Sequence, residues 1–167
     1  MRIIVSDSCA LIDLKKGRLL DVFVQLPYEL VVPDMVLADE LLSFSKAETA
    51  LMRRCMTVVH LDGNQVLRMH REQHANPALT HYDCAAVVIA EANPDAILLT
   101  GDRRLRAVAV SAGIECHGVL WVVEELDKAK LTTKARLLSA MELWRADLLV
   151  RLPREELERL IARFKRK

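Results

Sequence analysis

The chain has 167 residues, 52% of them hydrophobic, 28% charged and 4% aromatic, which suits one domain with a substantial core built mainly from Leu, Val, Ala and Ile. This composition excludes a disordered chain, and no apolar stretch approaches the about 20 residues of a membrane span. The net charge of +1 hides an asymmetry: residues 128–167 carry 12 Lys+Arg against 5 Asp+Glu, and residues 1–127 carry 12 against 18, a pattern suited to holding cations in one place and meeting a polyanion or acidic partner in another.

In chain order, Ile3, Ile4 and Val5 form a short apolar run. Asp7 and Ser8 follow, then a helical pattern through Leu14, which reads as strand, turn, helix. The run is too short for a signal-peptide core and ends in a carboxylate, so the expectation is a soluble, cytoplasmic protein. Four dispersed cysteines, Cys9, Cys55, Cys84 and Cys116, contain no Cys-x-x-Cys pair and fit a reduced compartment. Cys9 and Cys84 fall in apolar helical contexts, where buried free thiols are common.

Leu30, Val31 and Val32 read as a second strand stopped by Pro33, with Asp34 capping a helix that runs through Leu41. Residues 56–61 read as a third, peripheral strand, followed by a polar helix over residues 64–74. His70 and His74 on that helix have a zinc-compatible spacing, but no third ligand accompanies them and the reading is two exposed helix residues. Residues 80–83 open a very apolar helix over residues 84–92. Residues 96–100 read as a buried strand that turns out at Gly101 and Asp102. A helix over residues 103–112 ends at Gly113, and residues 114–117 form a last strand. Beyond Gly118 only helical patterns occur, over residues 119–127, 134–144 and 154–164, with Pro153 at the start of the last, where proline is tolerated.

Short apolar strands alternating with helices predict an α/β fold with a parallel sheet covered on both faces. Residues 1–127 read as the main domain, and residues 128–167 as a helical C-terminal extension packing on or next to it. In such sheets ligands bind at the C-terminal strand ends, near the point where the strand order reverses. Asp7 and Asp102 each lie just past a strand. Glu40 and Asp83 lie on helices that can flank them. Each acid has an ordinary reading as a cap, turn or solvated residue, but together their positions favour one site. Converging carboxylates repel unless neutralised, and Mg²⁺ or Mn²⁺ prefers such oxygen ligands. With only five glycines, neither a phosphate-binding loop nor a dinucleotide fingerprint can be assembled.

These blocks resemble the PIN-domain nucleases, including the VapC-type toxins. Ile3-Ile4-Val5-Ser6-Asp7-Ser8-Cys9-Ala10-Leu11-Ile12 is similar to the family's opening strand, acid and helix. Val31-Val32-Pro33-Asp34 through Asp39-Glu40-Leu41 is similar to its strand-Pro-helix block, Leu79-Thr80-His81-Tyr82-Asp83-Cys84 to the block with the third acid, and Ile97-Leu98-Leu99-Thr100-Gly101-Asp102-Arg103 to its last strand and acid. The resemblance covers roughly residues 1–125. It implies a three-layer α/β/α fold and a Mg²⁺- or Mn²⁺-dependent endoribonuclease acting on single-stranded RNA. Asp7, Glu40, Asp83 and Asp102 would be the metal ligands and catalytic acids, with Ser8 and Thr100 in support. It also implies an antitoxin protein as partner, if the toxin likeness holds, and a homodimer. Leu137, Leu138, Met141 and Trp144 could serve either contact or pack on their own sheet.

Many relatives carry a further acid shortly after the position of Asp102. Here Arg103, Arg104 and Arg106 occupy that stretch, so one metal or two is left open, with Glu91 as a possible substitute acid. The three arginines are candidates to steer an RNA phosphate. The departure also keeps a second class of function in view: a catalytically weakened PIN-like module that binds RNA or protein.

Overall fold

The computed structural model describes residues 1–166. Five parallel strands, β1 (Ile3–Ser6), β2 (Glu29–Pro33), β3 (Thr57–Val59), β4 (Ile97–Leu99) and β5 (Glu115–His117), form one sheet in the order β3-β2-β1-β4-β5. The chain steps outward from β1 to β3, then returns to lay β4 on the other side of β1. The strand order therefore reverses between β1 and β4, and a crevice opens beyond their C-terminal ends. Ser6 lies opposite Leu99, so Asp7 and Thr100 follow their strands side by side.

The strands are short because each is buried on both faces. Ile4, Leu30, Val32, Ile97 and Leu99 point into one core, and Val5, Val31 and Leu98 into the other, the period of two that a pleat imposes. The first core is closed by α1 (Ser8–Lys16), α2 (Leu20–Phe23), α7 (Val119–Lys128), α8 (Lys134–Ala146) and α9 (Arg154–Lys165). The second is closed mainly by α4 (Gly63–Ala75), α5 (His81–Glu91) and α6 (Arg103–Ser111). Helix α3 (Lys46–Cys55) leads into β3 and buries Met52. This is the three-layer α/β/α arrangement expected from the sequence.

Leu137, Met141 and Trp144 are buried in the same core as Ile4 and Leu11, with Leu138 packed against it, so these side chains face their own fold. Trp144 Nε1 donates to the Asp13 carbonyl at 2.7 Å. Its ring lies so close to Gly17 that a Cβ there would stand 2.6 Å from it, which is why the end of α1 requires glycine. Helix α8 is thereby locked to α1, the helix that starts at Asp7.

The segment after Pro33 differs from the expected α-helix. Asp34 stands inside the turn and accepts from the Met35 amide at 2.8 Å, and residues Val36–Glu40 form a π-helical turn. Such wide turns frequently mark functional positions, and this one ends on Glu40. Among the described residues no helix is long and apolar enough to cross a membrane.

Candidate active site

Asp7 directly follows β1 and is the N-cap residue of α1. Its amide donates to the Leu99 carbonyl at 3.0 Å, continuing the β1–β4 ladder by one residue. That bond draws the carboxylate back over the sheet, and only 2% of Asp7 is exposed. Thr100 Oγ1 donates to Asp7 Oδ2 at 2.9 Å and Cys9 Sγ donates to the same oxygen at 2.7 Å. Ser8 Oγ lies 3.4 Å from Oδ1, a much weaker contact. No basic side chain pairs with Asp7 among the described residues.

Burial pushes the Asp7 carboxyl up to about 6; the Cys9 thiol and Thr100 hydroxyl pull the other way, and the Asp83 charge adds to the rise. Asp83 is thus close enough for its charge to be felt at Asp7. Thr100 is the pivot of the site. While donating to Asp7, its hydroxyl accepts from the Asp102 amide at 3.0 Å. A buried hydroxyl used in both directions fixes the two strand ends relative to each other.

Asp102 is exposed and caps α6, its Oδ1 accepting from the Arg104 amide at 2.7 Å and the Leu105 amide at 3.0 Å. Asp83 forms a capping box with Thr80, its Oδ2 accepting from the Thr80 amide at 2.7 Å and hydroxyl at 2.9 Å. The capping box foreseen for Asp83 is therefore filled, whereas Asp102, read from the sequence as a turn residue, caps a helix. In each case the other carboxylate oxygen makes no hydrogen bond among the described residues. Glu40 is half-buried, and its Oε2 is buried without a hydrogen-bond partner. Its charge, with that of Asp39, is felt at Tyr82, beside Asp83, and Tyr82 Oη donates to Asp39 Oδ2 at 3.3 Å. The π-helical turn thus meets the start of α5.

The chemistry of this donor set fits a hard divalent cation: four carboxylates, an orphaned buried oxygen on Glu40, and a buried acid with no counter-charge. The side chains are not drawn into a ready cluster, because among the described residues no three His, Cys, Asp or Glu side chains stand close enough to hold an ion.

Two residues of this region were not foreseen as part of it. Cys9, expected to lie among apolar side chains, faces Asp7 and accepts from the Gly101 amide at 3.2 Å. Burial and the Asp7 charge push its thiol upward, so it stays protonated and serves as a donor. Asp13 lies one helical turn beyond Cys9. Burial raises its carboxyl to about 6, opposed by Lys16 and reinforced by Asp147 and Asp7. A Cβ on Gly101 would stand 3.8 Å from both Asp13 Oδ2 and Cys9 Sγ. The i, i+4 spacing of Cys9 and Asp13 was the available signal.

Glu91 is not brought to this region. It lies eight residues, about 12 Å, along α5 from Asp83 and pairs with Arg68 at 2.8 Å. The arginines divide. Arg106 donates to the carbonyls of Thr100 at 3.0 Å and Cys116 at 3.1 Å, tying the ends of β4 and β5 together. Arg103 and Arg104 are exposed and make no ion pair among the described residues. His70 and His74 are exposed on α4.

A family model described as a PIN domain matches residues 3–166 of the chain. No curated protein matches it.

Proposed function

The chain belongs to the PIN-domain family, whose members are generally nucleases, and on that premise we propose that it is a Mg²⁺- or Mn²⁺-dependent endoribonuclease that hydrolyses phosphodiester bonds of single-stranded RNA. The observation that carries the reading is Asp7: a buried carboxylate at the reversal point of the sheet, facing the charge of Asp83 and lacking a basic partner among the described residues. An uncompensated buried acid is costly, and an oxygen-coordinated cation would relieve that cost.

In this reading Asp7, Asp83 and Asp102 hold the ion, and Glu40 does so directly or through water, or acts as the general base. When bound, the ion stabilises charge developing on the phosphoryl oxygens and makes a neighbouring water a better nucleophile for in-line attack. The chain's own contribution is positional. Thr100 and Cys9 hold Asp7 Oδ2 through their donated hydrogen bonds, which fixes the direction of the carboxylate. Asp83 and Asp102 each use one oxygen on a helix start and present the other. Two helix N-termini, of α5 and α6, lend partial positive charge where phosphate would approach. Ser8 stands beside Asp7 Oδ1 and supports it weakly.

Cleavage of a labelled mixed-sequence RNA with Mg²⁺, Mn²⁺ or EDTA, for wild type and Asp7→Asn, tests the proposal. Metal-dependent cutting that the variant lacks is expected. RNA binding without cutting under any metal would refute the enzymatic reading and leave the binding-module alternative. The toxin role, with its antitoxin partner and homodimer, rests on the resemblance. It is tested by whether the product of a short neighbouring reading frame co-purifies with this chain and blocks cleavage.

A further inference from the structure

We propose that the cleft beside Asp102 is a subsite for single-stranded nucleic acid, in which His117 and Trp121 stack an unpaired base while Arg103, Arg104 and Arg151 take the flanking phosphates; this rests on the reading of the acidic site as a nuclease centre. The cleft encloses about 970 Å³ between the starts of α6 and α7, the end of β5 and the segment before α9. That is at the upper end of the about 300–1,000 Å³ usual for ligand pockets. Gly101 and Asp102 line it, so the cleft adjoins the acidic site.

The walls mix apolar side chains with charged ones. Four arginines line the cleft against two acids, Asp102 and Glu156. Arg103, Arg104 and Arg151 are exposed and make no ion pair among the described residues, while Arg106 is used on backbone carbonyls. Unpaired guanidinium groups gathered at one cleft are the donors that phosphate oxygens match.

The aromatic pair supplies the other half of a nucleotide. His117 and Trp121 are stacked, their ring centroids 4.5 Å apart and their planes 12° apart, and both line the cleft. The stack is held from behind: Glu115 accepts from His117 Nε2 at 2.8 Å, and Tyr28 packs on Trp121 with centroids 5.8 Å apart. A half-exposed, pre-aligned pair in a chain with only seven aromatic Phe, Trp and Tyr residues is an expensive use of scarce rings. Stacking needs an open base face, which single strands present and duplexes do not. Arg151 comes from the segment between α8 and α9, so the basic C-terminal part of the chain takes part in binding.

The test uses the full chain in EDTA, where binding is separated from cleavage, with a short oligouridylate as probe. Trp144 is 2% exposed, so quenching on titration reports Trp121. We expect saturable quenching by the single strand, much weaker quenching by a duplex of the same length, and none in Trp121→Leu. Trp121→Leu and His117→Ala should weaken binding about 5- to 150-fold, the range that corresponds to stacking one base. Arg103→Ala with Arg104→Ala should flatten the dependence of log affinity on log salt by about 1.4 if each meets one phosphate.

If Trp121→Leu fails to fold, as read by circular dichroism, His117→Ala and the arginine pair carry the test. No quenching of the wild type, or wild-type quenching and wild-type affinity retained in these variants, would overturn the subsite, even if RNA is still cut in an Asp7-dependent way. Equal quenching by duplex would overturn the single-strand assignment. Tighter capture of polyglutamate than of oligouridylate would replace nucleic acid by an acidic protein. Quenching through Trp121 without cleavage under any metal would retain the subsite and refute the nuclease.

Discussion

Asp7→Asn should make the metal-free protein more stable while removing its response to metal. Burial raises the Asp7 carboxyl from 3.8 to about 6, which corresponds to about 3 kcal/mol against the ionised form in the folded state. The folded state holds this proton more tightly than the unfolded chain. The contribution is therefore fully present below about 3.8 and is lost as pH rises through about 6. Asparagine keeps the shape and an oxygen to accept from Thr100 and Cys9, but its new amide donors must find partners beside Ser8. A net gain of about 1–3 kcal/mol at neutral pH follows, or about 2–12 °C in Tm for a chain of this size. Urea unfolding in EDTA at pH 7.5 and pH 5 measures it. The gain should be large at the higher pH and shrink at the lower, where wild-type Asp7 is mostly protonated. Adding Mn²⁺ should stabilise wild type and leave the variant unmoved. A variant less stable than wild type at pH 7.5 without metal would instead make Asp7 a stabilising structural acid.

Asp102→Ala should cost about 1 kcal/mol through the lost cap on α6, whereas Asp102→Asn should cost far less. If Asp102 also holds metal, both should lose cleavage by more than the about 10- to 100-fold typical of removing a supporting group, a pattern that urea midpoints and cleavage rates together would reveal. Thr100→Val, which removes the bridge between Asp7 and the Asp102 amide, should weaken Mn²⁺ binding about 10- to 100-fold by calorimetry. Gly17→Ala drives a methyl into the buried Trp144 ring and should destabilise the fold by about 1–3 kcal/mol in urea, reporting on the lock between α8 and α1.

Legibility in the sequence followed burial. β1, β2 and β4 were readable as Ile-Ile-Val, Leu-Val-Val and Ile-Leu-Leu because strands buried on both faces must be continuously apolar. α5 was readable for the same reason: Cys84 through Ala90 are all buried. α3 was not foreseen because it is short and buries little beyond Met52, and α2 is a single turn defined by packing of Leu20, Val22 and Phe23. The turn carrying Glu40 reads as an ordinary capped helix, because Pro33-Asp34 followed by apolar residues is what such a helix start looks like; only packing distinguishes the wider π turn. Within the site, Asp7 and Asp102 stood out by their place after strands, and Thr100 only through the family resemblance. Apart from its i, i+4 spacing from Cys9, Asp13 looks like any helix acid until the pairing of β1 with β4 places Gly101 against α1. The pairing of His117 with Trp121 also depends on the junction of β5 and α7, which no local pattern announces.

Hydrolysis by this site requires that its carboxylates share a cation. The most direct measurement is anomalous diffraction from crystals of the wild-type chain soaked in Mn²⁺, with Asp7→Asn as the comparison. A manganese peak bounded by oxygens of Asp7, Asp83 and Asp102, with Glu40 bound directly or through water, is expected in the wild type and no such peak in the variant. A fully soaked wild-type crystal with no peak between these residues, or with manganese bound elsewhere, would contradict the shared cation.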